Sequence, residues 1–453
     1  MRSSLPAGRP SAFTRVAAPA FNRFAVPVTL ALAALAAGPA MAAGGWSATH
    51  VIQRTFGVSS PPEAPRVVMN NLGQAAYVWN ATGTVRVAER LSDGTWSAST
   101  GVPGGATGAG PVAVAIGRGG LVAVAWTTVA TRYVPSKLLL SIKPAGGAFL
   151  PPVEPAPGPQ AGAIELGVDC AGTVTLLWSD RFGVNATALA GPAVVGGVCN
   201  GAPGAGAWAA PVQVSGGRVG AALAAMAVND AGDALVVWQE GAPGVPSAIA
   251  AASRPAGGAW QAPVTVSAPT AQATWNPKPG LDAAGNAAVG YLDGPSMKVA
   301  LRPAAGAWQA PVTVSGAQQV QYPALAMSDN GDVLAAWLAS DGTSGTAVWQ
   351  RVWHAGAWAD AGRLSARSDT PGWPIAAMSG DGSLGIVGWT DDSALAARAA
   401  TLRGGAWTRQ SLGPAYWGGM VPVAAGGGQA AAGWARTVGG NPNAVQLVGR
   451  ATP

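Results

Sequence analysis

The phrase GGAWQAPVTVS (257–267) returns as AGAWQAPVTVS at 305–315 and, shortened, as GAWAAPVQVS at 206–215. A chain that repeats one phrase at intervals of about fifty residues is built from supersecondary units, each too small to bury its apolar face alone. Such units must stack on one another, in an open array or in a closed ring.

A second anchor precedes the phrase in every unit. A turn containing Gly leads into a short apolar run that ends in an aromatic residue, as in NDAGDALVVW (229–238) and SDNGDVLAAW (328–337). The aromatics are Trp79, Trp126, Trp178, Trp238, Tyr291, Trp337, Trp389 and Trp434, spaced 47, 52, 60, 53, 46, 52 and 45 residues apart. In seven of these eight units a Gly lies six residues before the aromatic, and in the other Gly382 lies seven before Trp389.

Each unit reads as four strands, A to D. Gly in the A–B turn permits the positive φ of a tight hairpin. Pro263 and Pro311 lie inside the D phrase, which makes D an edge strand, where a missing N–H costs little. Small residues crowd A and B, as the narrow inner part of a blade requires. The long-helix alternative fails because 65 Gly and 37 Pro are spread along the chain, and these are the poorest helix formers. Disorder is disfavoured because 49% of residues are apolar and 19 are Trp, enough to form a core.

The last unit has A, B and C (AVQLVGR, 444–450) and no D, while GGWSATHVIQ (44–53) is a D with no unit of its own. The two fragments complete one blade. The expected fold is therefore all-β: a single eight-bladed β-propeller of four-stranded antiparallel blades over 43–453. Its N-terminal D closes the ring, and seven blades is the count if one unit is misassigned. On these residues the chain resembles bacterial propeller-repeat proteins of the broad sialidase-like and Asp-box type. The match is loose: the Asp box has the form S-x-D-x-G-x-x-W, whereas Ser328 and Asp329 are adjacent and Trp337 lies six after Gly331.

Residues 1–42 read as a signal peptide. Arg2, Arg9, Arg15 and Arg23 precede the apolar run FAVPVTLALAALAA (24–37) and the small-residue motif AMA (40–42), the pattern of an export signal. The run is short for a membrane span, and no Cys follows it for a lipid anchor. The expected location is secreted or periplasmic. Removing the four leader arginines leaves 22 basic against 20 acidic residues, so no nucleic-acid partner is expected. In an exported protein the two cysteines, Cys170 and Cys199, are expected to form a disulfide.

The sialidase-like resemblance implies an arginine cluster for a substrate carboxylate, a Tyr/Glu nucleophile pair and an acidic Asp. Arg90, Arg254 and Arg302 each lie six residues before a Trp, a repeat register that indicates a structural role. The FRIP-type motif of such enzymes is not found. The two histidines, His50 and His354, lie in distant units, and no metal ligand spacing occurs. Calcium at Asp381, Asp391 and Asp392 is chemically conceivable, but turn acids accepting backbone N–H groups account for them more simply. No cofactor is expected.

Loop polarity locates a binding site. Strands alternate in direction, so D–A and B–C loops share one face of the ring. At the start of A, four consecutive units carry aromatics: Trp275, Tyr322, Trp373, and the Tyr416–Trp417 pair. After B, on the same face, come Asp293, Asp341 and Asp391. Aromatic faces beside carboxylates suit a sugar, although such aromatics also fill gaps between blades. The expected function is a non-catalytic binding or scaffold propeller, lectin-like, with a glycan or cell-envelope component as partner and a monomeric state. The alternative is an exported sialidase-like glycoside hydrolase or lyase.

Overall fold

The computed structural model describes residues 45–452 except 57–63, 82, 106–107, 131–134, 157–161, 219, 242–246, 268–273, 317–318, 344 and 439–440. The expected leader, 1–42, lies outside the described residues.

Strand B explains why the units need one another. In blade 4 it spans Ala234–Glu240, and residues 234 to 238 are all buried. Val236 and Trp238 pack against Leu177 and Val184 of blade 3, while Leu235 and Val237 pack against Val289 and Tyr291 of blade 5. Both faces of B are thus covered, so the strand is apolar at every position instead of alternating.

The chain forms eight antiparallel sheets: that of blade 6 has five strands, its C pairing with both Ala357–Trp358 and Gly362–Arg363, and six have the four strands A-B-C-D. In blade 5 these are Thr274–Leu281, Ala287–Asp293, Ser296–Arg302 and Val312–Thr313. Blade 2 pairs three strands, and its fourth is reduced to a single bridge between Leu140 and Val153. The A strands touch in cyclic order, and that of blade 8 (Val423–Gly426) meets that of blade 1 (Arg66–Met69). They therefore line a central channel in an eight-bladed β-propeller.

The ring closes through its two ends. His50–Phe56 pairs antiparallel with the last strand, Asn441–Ala451, in the register His50–Gly449 and Val51–Val448. Trp46 is buried between blades 7 and 8. The Arg450 guanidinium donates to the carbonyls of Trp46, Ser47 and Leu412. Arg90, Arg254 and Arg302 do similar work: each bonds a residue of the preceding blade, namely Gln429, Thr175 and Ser253.

The repeated phrase has a physical reading. Trp260 lies under the Arg254 guanidinium, 5.4 Å from its ring centroid, and Trp308 repeats this with Arg302 at 5.3 Å. The paired part of D is only Val264–Thr265 or Val312–Thr313, shorter than the phrase suggests, because Pro263 and Pro311 interrupt the ladder. The terminal Ser then takes over. Ser215, Ser267, Ser315 and Ser365 accept the N–H groups of Val184, Ile249, Met297 and Val348 at 2.8–3.1 Å. Cys170 and Cys199 form the expected disulfide, joining the A–B turn of blade 3 to its long C–D segment.

Candidate functional site

The two ends of the channel are built differently. At the A–B end several neighbouring turns are hydrogen-bonded to one another. The side chain of Asn229 donates to the carbonyl of Asp282, and that of Asn70 to Gly117, each in the next blade. Gly232 in one such turn has φ +96°, and a Cβ there would lie 2.8 Å from an Asp169 carboxylate oxygen of the neighbouring blade. Side chains of non-adjacent blades also meet: Asn71 donates to Asp329 at 3.1 Å, and Arg118 pairs with Asp230 at 3.3 Å. Burial, and then the Asp329 carboxylate, push the Asp230 carboxyl above its ordinary range. These contacts tie blade 1 to blade 6 and blade 2 to blade 4. Among the described residues no three His, Cys, Asp or Glu side chains gather as a metal site. Asp381 lies in the A–B turn, at the opposite end of strand B (Leu384–Asp391) from Asp391 and Asp392, so these three acids do not converge.

At the other end the channel widens into a cavity of about 910 Å³. Trp275, Tyr322, Trp373, Tyr416 and Trp417 all line it. Tyr322 stacks on Trp373 with ring centroids 4.4 Å apart and planes 21° from parallel. Trp373 is 48% exposed and Trp417 68%, unusual for residues that are normally well buried.

Local backbone irregularity helps form this wall. In blades 4, 5 and 6 strand A is bulged against B. The bulges hold Leu223, Asn276 and Tyr322 at φ of 51°, 57° and 50°. All three line the cavity. A left-handed conformation costs a non-glycine residue roughly 1–2 kcal/mol, and bulges commonly serve to re-aim side chains.

Asp293, Asp341 and Asp391 are not among the cavity's lining residues. Each faces a cation of its own blade: Lys298, Arg363 at 3.4 Å and Arg398 at 2.8 Å respectively. Strand C supplies Lys298 and Arg398, and the short last strand of blade 6 (Gly362–Arg363) supplies Arg363, so the acids sit in ion pairs beside the channel.

The charges inside the cavity are Arg66, Glu165 and Lys278. They share one register. Arg66 pairs with Val78, Glu165 with Leu177 and Lys278 with Gly290, in each case the residue before the strand-B aromatic. Ala113, Ala225, Ala324 and Ile375 hold that place in blades 2, 4, 6 and 7. One layer of the channel thus has cations in blades 1 and 5 around a carboxylate in blade 3. Burial pushes the Glu165 carboxyl up, while Arg66 and Lys278 oppose that shift. Burial pushes the Lys278 ammonium down, Glu165 opposes this and Arg66 adds to it. A signal for this trio was present in the sequence: each lies 13 residues before its unit's aromatic, at Trp79, Trp178 and Tyr291.

No family model matches the chain, and no curated protein matches it. Among solved structures it is similar to an ulvan lyase of a polysaccharide lyase family, at 10% identity over 88% of this chain and 95% of that one, with a TM-score of 0.48. It is also similar to an Aleuria aurantia lectin mutant in complex with α-methyl-L-fucoside (15% identity, 80% and 97% covered, TM-score 0.43). A third is a Penicillium chrysogenum α-L-arabinanase complexed with arabinobiose (13%, 75% and 92%, 0.37). At these values the likeness is one of propeller type and goes no further.

Proposed function

We propose that the protein is an exported carbohydrate-binding propeller whose site is the cavity at the D–A/B–C end of the channel. The observation that carries this reading is the aromatic wall. Trp275, Tyr322, Trp373 and Trp417 come from four consecutive blades and converge on one concave surface, with Trp373 and Trp417 substantially exposed. A pyranose presents an apolar C–H face to such rings and directs its hydroxyls to polar groups beyond them. A concave, mostly apolar recess with a few polar groups is the usual form of a small-ligand site. The Cys170–Cys199 disulfide supports an oxidising compartment, as expected outside the cytoplasm.

Glu165 favours a second reading, in which the cavity also carries out hydrolase or lyase chemistry. A carboxyl raised by burial is the kind of group that serves as a general acid. Hydrolysis by the common route needs a second carboxyl across the scissile bond, and among the described lining residues Glu165 is the one carboxylate. Binding therefore ranks first. A glycan array tests the proposal: saccharide binding by the mature protein supports it, and silence across the array overturns it. Time-dependent cleavage of a bound glycan would place the catalytic reading ahead.

A further inference from the structure

We propose that the saccharide taken by this cavity is acidic, and that Arg66 and Lys278 receive its anionic group with Glu165 between them. The inference rests on the carbohydrate reading above and adds the class of ligand.

The argument begins with charge pairing. Four cations beside this end of the ring are matched with carboxylates: Lys298 with Asp293, Arg363 with Asp341, Arg398 with Asp391 and Arg218 with Glu240. Arg66, Glu165 and Lys278 differ. Among the described residues none of their side chains makes a hydrogen bond or an ion pair within 4.0 Å, although their fields act on one another. Arg66 is exposed and Glu165 and Lys278 are half-buried, so all three can face a ligand in the cavity, and two cations around one carboxylate leave an excess positive charge. A ligand bringing one anionic group would balance it and supply charge-assisted hydrogen bonds.

Depth fits the same picture. The charged register lies two residues further along strand A than the bulge residues, from Asn276 to Lys278 in blade 5 and from Tyr322 to Ala324 in blade 6. Two residues of strand correspond to roughly 7 Å, about the reach of a ring substituent from a pyranose stacked on the aromatic wall. The layer is also uneven, with blade 5 carrying both Lys278 and Trp275. Blades 1, 3 and 5 carry the charges, while Ala324 and Ile375 in blades 6 and 7 keep the aromatic side apolar. A sugar ring would rest on one side and present its acid to the other. Carboxylate and sulfate share the required chemistry.

The test uses one array bearing neutral, carboxylated and sulfated glycans, followed by titration of its strongest ligand and that ligand's neutral counterpart. A carboxylate is neutralised as its methyl ester, and a sulfate by desulfation. The acidic form is expected to bind at least about tenfold tighter than the neutral one, with the advantage falling as salt rises. Arg66→Gln and Lys278→Gln should each weaken binding of the acidic form by more than that of the neutral form, at a melting temperature close to that of the wild type. Trp373→Ala should weaken both forms. Equal binding of the two forms, or an acidic preference that survives both charge variants, overturns the inference and leaves the carbohydrate reading standing. Binding of no saccharide at all overturns the carbohydrate reading itself. The carboxylated and sulfated arms show which acid is used.

Discussion

The two ends of the channel come from the same repeat and end in opposite conditions. At the A–B end, polar side chains of non-adjacent blades find one another, as Asn71 finds Asp329 and Arg118 finds Asp230. At the other end Arg66, Glu165 and Lys278 share a layer without bonding, beneath exposed tryptophans and three left-handed residues. Bonds between non-adjacent blades hold a ring together, whereas exposed aromatic surface and backbone strain reduce stability and are retained where something else is gained. On the proposed function, one end serves structure and the other recognition.

The most severe challenge to this contrast is to open the ring, since both ends presuppose closure. Deleting residues 43–53 removes most of the strand paired with Ala444–Gly449, together with buried Trp46, and exposes a sheet edge. The expected outcome is loss of the cooperative thermal transition and aggregation, read by scanning calorimetry and light scattering. A truncated protein that melts like the intact one would show that the ring does not depend on this strand. Next in size is Trp238→Ala, which empties a site walled by blades 3 and 4. It should cost about 3–5 kcal/mol in denaturant unfolding, with no direct effect on the cavity. Asn71→Ala tests the A–B end: losing its bond to Asp329 should cost about 1 kcal/mol and leave glycan affinity untouched. A change in affinity without a change in stability there would reverse the assignment of the two ends. The smallest effect has the opposite sign. Leu223→Gly removes left-handed strain at a half-exposed position and should stabilise the fold by up to about 1 kcal/mol, measured in the same unfolding experiment.

The fold was legible because its causes are local and repeated. Gly at the A–B turn, the aromatic six residues later and the complementary chain ends each impose a physical requirement that a propeller satisfies. The Pro residues of the D phrase marked an edge, but the sequence pattern did not show that pairing would shrink to two residues, with Ser267 or Ser315 taking the place of a ladder partner. The aromatic half of the cavity was also legible, because strand polarity alone places Trp275, Tyr322, Trp373 and Trp417 at one end. The charged half was not. Asp293 and Asp391 share a face with those aromatics, yet the hairpin each begins returns Lys298 or Arg398 beside it. Arg66, Glu165 and Lys278 stand in separate units, and each reads singly as a polar interruption of a strand. Only closure of the ring brings their common register, 13 residues before the aromatic, onto one layer.

The central claim is that the aromatic wall recognises a ligand and does not serve as packing. The most direct measurement is the affinity of Trp373→Ala for the best array glycan, taken with its unfolding free energy beside that of Trp238→Ala. Stacking adds about 0.5–1.5 kcal/mol per aromatic beyond buried area, so the account predicts binding weakened several-fold at near-wild-type stability. A Trp373→Ala protein that unfolds as readily as Trp238→Ala and binds the glycan as tightly as the wild type would contradict it.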